Sequence, residues 1–106
     1  MALENMSFPK LEKLYLNNNK LANNISTLGK VIFKELKELN LAFNKISNIK
    51  VLKDVRFEKL EVLNLGGNEI SNNINVLDSV NFRELKTLDL YHNNISDIKV
   101  LKKVKF

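Results

Sequence analysis

At 106 residues, 44% of them hydrophobic and 27% charged, the chain has the size and balance of one globular domain. It has no cysteine, which excludes a disulfide framework and any thiolate metal site, and its longest apolar runs are too short to span a membrane. The net charge is +5, but basic and acidic residues interleave, as in Lys34–Glu35, Lys53–Asp54, Glu58–Lys59 and Arg83–Glu84, so the patterning is that of a solvated surface and argues against nucleic acid.

The N-terminal stretch MALENMSFPK lacks the apolar core of a secretory signal. With the absence of cysteine, it sets the expectation of a cytoplasmic protein. Ala2 to Phe8 align with Val51 to Phe57, so the chain is expected to open inside a repeat. Phe8 then begins a phrase, FPKLEKLYLNNNKL, that returns as FKELKELNLAFNKI from Phe33, FEKLEVLNLGGNEI from Phe57 and FRELKTLDLYHNNI from Phe82. The spacings are 25, 24 and 25 residues, and Phe106 follows 24 later. A repeat of this length predicts a solenoid, one domain over residues 1–106 with coils beginning near Phe8, Phe33, Phe57 and Phe82. Neither end carries a visible polar cap. The expectation is therefore a segment of a longer array, or a short chain that closes its ends by self-association.

Within each coil, two periods alternate. In the second, Leu39 and Leu41 alternate with Glu38, Asn40 and Ala42, which predicts a short strand over 38–42 with one buried face. Its equivalents fall at 13–17, 62–66 and 87–91, and successive strands must run parallel because each coil returns in the same sense. An asparagine follows each strand: Asn19, Asn44, Asn68 and Asn93. An amide both donates and accepts, so it can satisfy backbone groups that the turn leaves unpaired and bridge to the next coil. Beyond it, Ile46, Ile49, Leu52 and Val55 recur every third residue, the spacing of a 3-10 or short α-helical turn with its inner face buried. Lys50, Lys53, Asp54 and Arg56 then face water. The phenylalanines are expected to stack as an apolar spine. Coils one and three carry one added residue, LANNI and ISNNI against ISNI and ISDI, placed in a turn where insertion costs little. The true period is then 49 residues, that of a duplicated pair of coils.

The pattern L-x-x-L-x-L-x-x-N-x-[LI] is carried by Leu11, Leu14, Leu16, Asn19 and Leu21 in the first coil and by Leu85, Leu88, Leu90, Asn93 and Ile95 in the fourth. It resembles leucine-rich repeats over essentially the entire chain. The N-x-I-x-x-I-x-x-L return is similar to the short-repeat class of protein phosphatase-1 regulatory subunits and internalins, although those repeats run shorter. The resemblance implies an α/β right-handed horseshoe, with parallel strands on the concave side and 3-10 or short helical turns on the convex side. It also implies protein recognition, with no enzymatic activity and no cofactor in the repeats themselves.

Few residues suggest chemistry. His92 is the only histidine, and no acidic cluster has metal-ligand spacing. Gly66–Gly67 lacks the Lys-Ser/Thr of a phosphate loop and reads as a bare stretch of the concave side. The sequons at Asn5, Asn24 and Asn94 are of the number an asparagine-rich chain gives by chance. What remains is surface. One outward column, Glu12, Lys37, Glu61, Lys86, alternates in sign and is expected to neutralise itself. The next three columns are Tyr15, Asn40, Asn64, Asp89, then Asn17, Ala42, Gly66, Tyr91, and then Asn18, Phe43, Gly67, His92. They place aromatics around a floor of small residues, and aromatics are enriched in interface hot spots.

The reading is a non-catalytic module that binds another protein through Tyr15, Asn17, Asn40, Phe43, Asn64, Asp89, Tyr91 and His92. Asn19, Asn44, Asn68 and Asn93 are the structural ladder. Two alternatives differ in class. One is a regulatory or targeting segment of a larger enzyme. The other is a binder of nucleic acid or another anionic surface through the basic cluster Lys99 to Lys105.

Overall fold

A computed structural model describes residues 8–55, 57–71, 76–77, 80 and 82–95. Strands β1 (Lys13–Tyr15), β2 (Glu38–Asn40), β3 (Val62–Asn64) and β4 (Thr87–Asp89) form one parallel sheet in chain order. The register is strict: Leu14, Leu39, Leu63 and Leu88 stand in line, as do Tyr15, Asn40, Asn64 and Asp89. Each strand is three residues long, two shorter at its end than the alternation predicts. Parallel bonding nevertheless continues beyond it, with Leu16 N–H to Asn40 O at 2.9 Å and Asn18 N–H to Ala42 O at 2.9 Å. The strand ends because the backbone must turn. Asn18, Phe43, Gly67 and His92, equivalent in the four coils, have φ of 62°, 56°, 65° and 50°, which no strand accommodates.

The interior is filled by the two apolar periods. Leu36, Leu39 and Leu41 of the second coil and Leu60, Leu63 and Leu65 of the third are buried from the strand side. Ile46, Ile49 and Leu52 meet them from the return side, where a 3-10 helix spans Lys50–Lys53 and turns Lys50, Lys53 and Asp54 outward. Spacing by three suits that helix because side chains three apart eclipse. Arg56, Phe106, the basic cluster and most of the third and fourth return paths lie outside the described residues.

In the first coil the 3-10 helix is longer, Ala22–Lys30, and buries Ile25 and Leu28. The added residue sits at its start and not in a loose turn, and Ala22 takes φ 45° there. The phenylalanine spine runs through the stack: ring centroids are 5.8 Å apart for Phe8–Phe33, 5.7 Å for Phe33–Phe57 and 6.2 Å for Phe57–Phe82.

Candidate functional site

The sheet face opposite the core carries the outward side chains of β1 to β4 and of the turns that follow. Six of its charges pair off. Lys37 meets Glu12 at 3.7 Å, Lys86 meets Glu61 at 3.7 Å, and Lys13 meets Glu38 at 3.5 Å. The alternating column therefore closes as two discrete pairs, Glu12–Lys37 and Glu61–Lys86. These bridges are solvent-exposed, so each contributes well under about 1 kcal/mol.

Asn40, Asn64 and Asp89 have a structural duty that their polarity alone does not announce. Asn40 Oδ1 accepts the Ala42 N–H at 3.0 Å, Asn64 Oδ1 the Gly66 N–H at 2.9 Å, and Asp89 Oδ1 the Tyr91 N–H at 3.1 Å. A short acceptor bonding the amide two residues on is an Asx turn, and it bends the chain out of the strand. The signal in the sequence was three short acceptors at one register. Tyr15 occupies that register in the first coil, where it cannot make the turn. Its hydroxyl instead donates to Glu38 Oε2 at 2.8 Å. That hydrogen bond to a carboxylate, aided by burial and by the Glu38 charge, raises the Tyr15 phenol above its usual range.

The expected floor of small residues is not bare. Tyr91 lies over Gly66 so closely that a methyl group there would fall within its ring, and Phe43 covers Gly67 in the same way. Coils two and four thus reach across the third, and Phe43 and Tyr91 meet edge-on with centroids 6.0 Å apart and planes at 71°. His92 contacts Tyr91 at 5.2 Å and 69°. Much of the aromatic surface still faces solvent, with Tyr15 59%, Phe43 45% and Tyr91 41% exposed. Asn17 is half-buried at the edge of this group, and its carbonyl accepts from Asn19. Tyr15 is anchored separately by Glu38.

Phe43 and His92 are held at positive φ, where a side chain with Cβ costs roughly 1–2 kcal/mol relative to glycine. Glycine fills the same register at Gly67. The fold therefore tolerates glycine there, yet places exposed aromatic rings at two of the four positions.

The four ladder asparagines turn away from this face. Asn44 and Asn68 are buried, Asn93 is half-buried and Asn19 is exposed. Asn68 Nδ2 donates to the carbonyls of Leu41, Leu65 and Gly66 at 2.9–3.1 Å, and Asn44 Nδ2 to those of Leu16, Leu41 and Ala42 at 2.9–3.2 Å. Among the described residues there is no group of three or more His, Asp or Glu able to hold a metal ion, and no helix long and apolar enough to cross a membrane.

Leucine-rich-repeat sequence models match residues 10–31 and 84–102 in one form and 35–49 and 58–74 in another, together most of the chain. No curated protein matches it by sequence. Among solved structures it is similar to the internalin inlF of Listeria monocytogenes, at 30% identity and a TM-score of 0.56, covering 89% of this chain and 32% of that one. It is also similar to internalin C2 of the same organism, at 26% identity and a TM-score of 0.60, covering 90% of this chain and 48% of that one. The chain spans less than half the length of either.

Proposed function

The chain belongs to the leucine-rich-repeat family, and on that premise we propose that its concave strand face binds another protein without catalysing a reaction. The observation that supports this reading is the aromatic group Phe43, Tyr91 and His92. Its rings pack over a glycine pair, two of its members sit at positive φ, and none contributes to the core. The turn needs a positive φ at this register in every coil, and two coils meet it with exposed aromatic side chains where glycine would cost less. Large, rigid aromatics are also the side chains from which interfaces draw most of their energy. Tyr15, fixed by Glu38, adds a second pre-oriented ring. A partner meeting these rings loses less conformational freedom on binding than one that must order them.

The test compares variants of opposite faces. Tyr15→Ala/Tyr91→Ala should keep the urea midpoint near wild type and lose the proteins that the immobilised chain retains. Lys53→Ala, on the convex side, should retain them. Loss with Lys53→Ala and retention with the concave pair would move the binding surface to the outer face.

A further inference from the structure

We propose that Asp89, Tyr91 and Phe43 form a seat for a basic side chain of the partner, an arginine in preference to a lysine. The inference rests on the concave-face reading and specifies what that face receives.

Three observations converge. First, the charges of the concave face do not all pair. Lys13, Lys37 and Lys86 are each paired, with Glu38, Glu12 and Glu61, and among the described residues Asp89 is left with no cationic partner. That carboxylate stands on a chain whose net charge is +5.

Second, the fold does not require that charge. Asp89 makes the same turn as its register neighbours Asn40 and Asn64, in which one oxygen accepts the amide two residues on. Asparagine does this work in two coils. The carboxylate in the fourth therefore adds something that the turn does not use.

Third, the half-buried carboxylate bonds the backbone of Tyr91, whose ring packs edge-on with Phe43. A cation held near a ring face is attracted by the ring quadrupole, and a carboxylate alongside supplies a charge-assisted hydrogen bond. Arginine suits both, because its planar guanidinium stacks on rings and presents a fork of donors to a carboxylate, while the lysine ammonium is compact and more strongly hydrated. The two glycines under the rings keep Cβ atoms out of the space that Tyr91 and Phe43 occupy.

The test uses the full chain and three short peptides, acetyl-Gly-Arg-Gly-amide and its citrulline and lysine counterparts, followed by amide NMR shifts at low salt. The arginine peptide should shift Phe43, Asp89, Tyr91 and His92 saturably, and the lysine peptide more weakly. The citrulline peptide, equal in shape but neutral, should leave them in place. Asp89→Asn keeps the turn and should weaken arginine-peptide binding by roughly three- to tenfold. Tyr91→Leu, which keeps the carboxylate, should weaken it as well.

Equal shifts from the citrulline peptide, unchanged affinity in Asp89→Asn, or arginine-peptide shifts centred away from these residues would each overturn the proposal. The two readings fail separately. Proteins lost by Tyr15→Ala/Tyr91→Ala but held undiminished by Asp89→Asn overturn the basic seat alone. Retention by both variants overturns the concave face as well.

Discussion

Asn68 Oδ1 accepts the backbone N–H of Asn44 at 2.9 Å and that of Ile46 at 3.0 Å, so one amide oxygen of the third coil holds two backbone positions of the second. The same geometry recurs one coil back, where Asn44 Oδ1 accepts from Asn19 N–H at 3.1 Å and Leu21 N–H at 3.4 Å. Removing either amide strands the two backbone N–H donors that its oxygen accepts, buried under Asn68 and part-buried under Asn44. Asn68→Ala and Asn44→Ala should each destabilise by about 1–3 kcal/mol. Exposed Asn19, whose amide bonds only the Leu16 and Asn17 carbonyls among the described residues, should lose less on the same change. Urea denaturation of the three variants checks the order. At neutral pH, Asn68→Asp should be at least as damaging as alanine, because a carboxylate cannot donate to the three carbonyls and would be buried without a partner charge.

Gly66 and Gly67 should respond differently to a methyl group. Gly66 has no positive φ, and the atoms nearest to a methyl group there all belong to the Tyr91 ring, which is partly exposed and able to swing away. A loss on the order of 1 kcal/mol is expected, and it should nearly vanish in a Tyr91→Ala background. Gly67→Ala meets the Phe43 ring and also a φ of 65°. Its backbone cost of about 1 kcal/mol should persist when Phe43 is also alanine. The double-mutant cycles, read by thermal or urea unfolding, separate ring contact from backbone strain.

The repeat made much of this fold legible. Strand positions, the parallel order, the phenylalanine spine and the bonding of Asn44 and Asn68 all follow from residues that return at one register, because each coil must place the same side chain in the same surroundings. The aromatic cluster was hidden for the converse reason. Phe43 and Tyr91 lie two coils apart and at different registers, and they meet only because the coil between them has glycine at both positions under the rings. Columns read singly show aromatics beside small residues and not rings lying upon them. The positive φ at Phe43 and His92 was likewise silent, since only Asn18 and Gly67 mark that register with residues that favour it. Asn40, Asn64 and Asp89 read as partner contacts because an Asx turn and a binding contact call for the same short acceptor.

The turn at β3 gives a direct check on that duty. Asn64→Asp keeps the acceptor for the Gly66 N–H and should change stability by no more than about 0.5 kcal/mol. Asn64→Leu removes the acceptor and should cost about 1 kcal/mol. If leucine were as stable as aspartate, the Asx bond would contribute nothing and the strand would end for another reason.

Glu35 and Lys59, on adjacent coils, are joined at 2.7 Å. The hydrogen bond from Lys59, and then its charge, hold the Glu35 carboxyl below the usual glutamate range, while the reciprocal bond and charge raise Lys59 above the usual lysine range. The signs follow from linkage. A carboxyl with a folded-state pKa below its unfolded value stabilises above the unfolded range, and that stabilisation fades as pH falls through the folded pKa. For Lys59, raised in the fold, the contribution is present below the unfolded lysine range and fades as pH rises through the folded pKa. The pair therefore acts between acid and strongly alkaline pH. Both groups are exposed, so salt should weaken it. Side-chain carbon NMR should find the Glu35 midpoint below the ordinary glutamate range at low salt. Lys59→Met, which keeps most of the stem but not the charge, should return it upward, and added salt should move it partway in the same direction. A midpoint unmoved by Lys59→Met would show that the 2.7 Å contact does not persist in solution and that the two coils are not tied at this point.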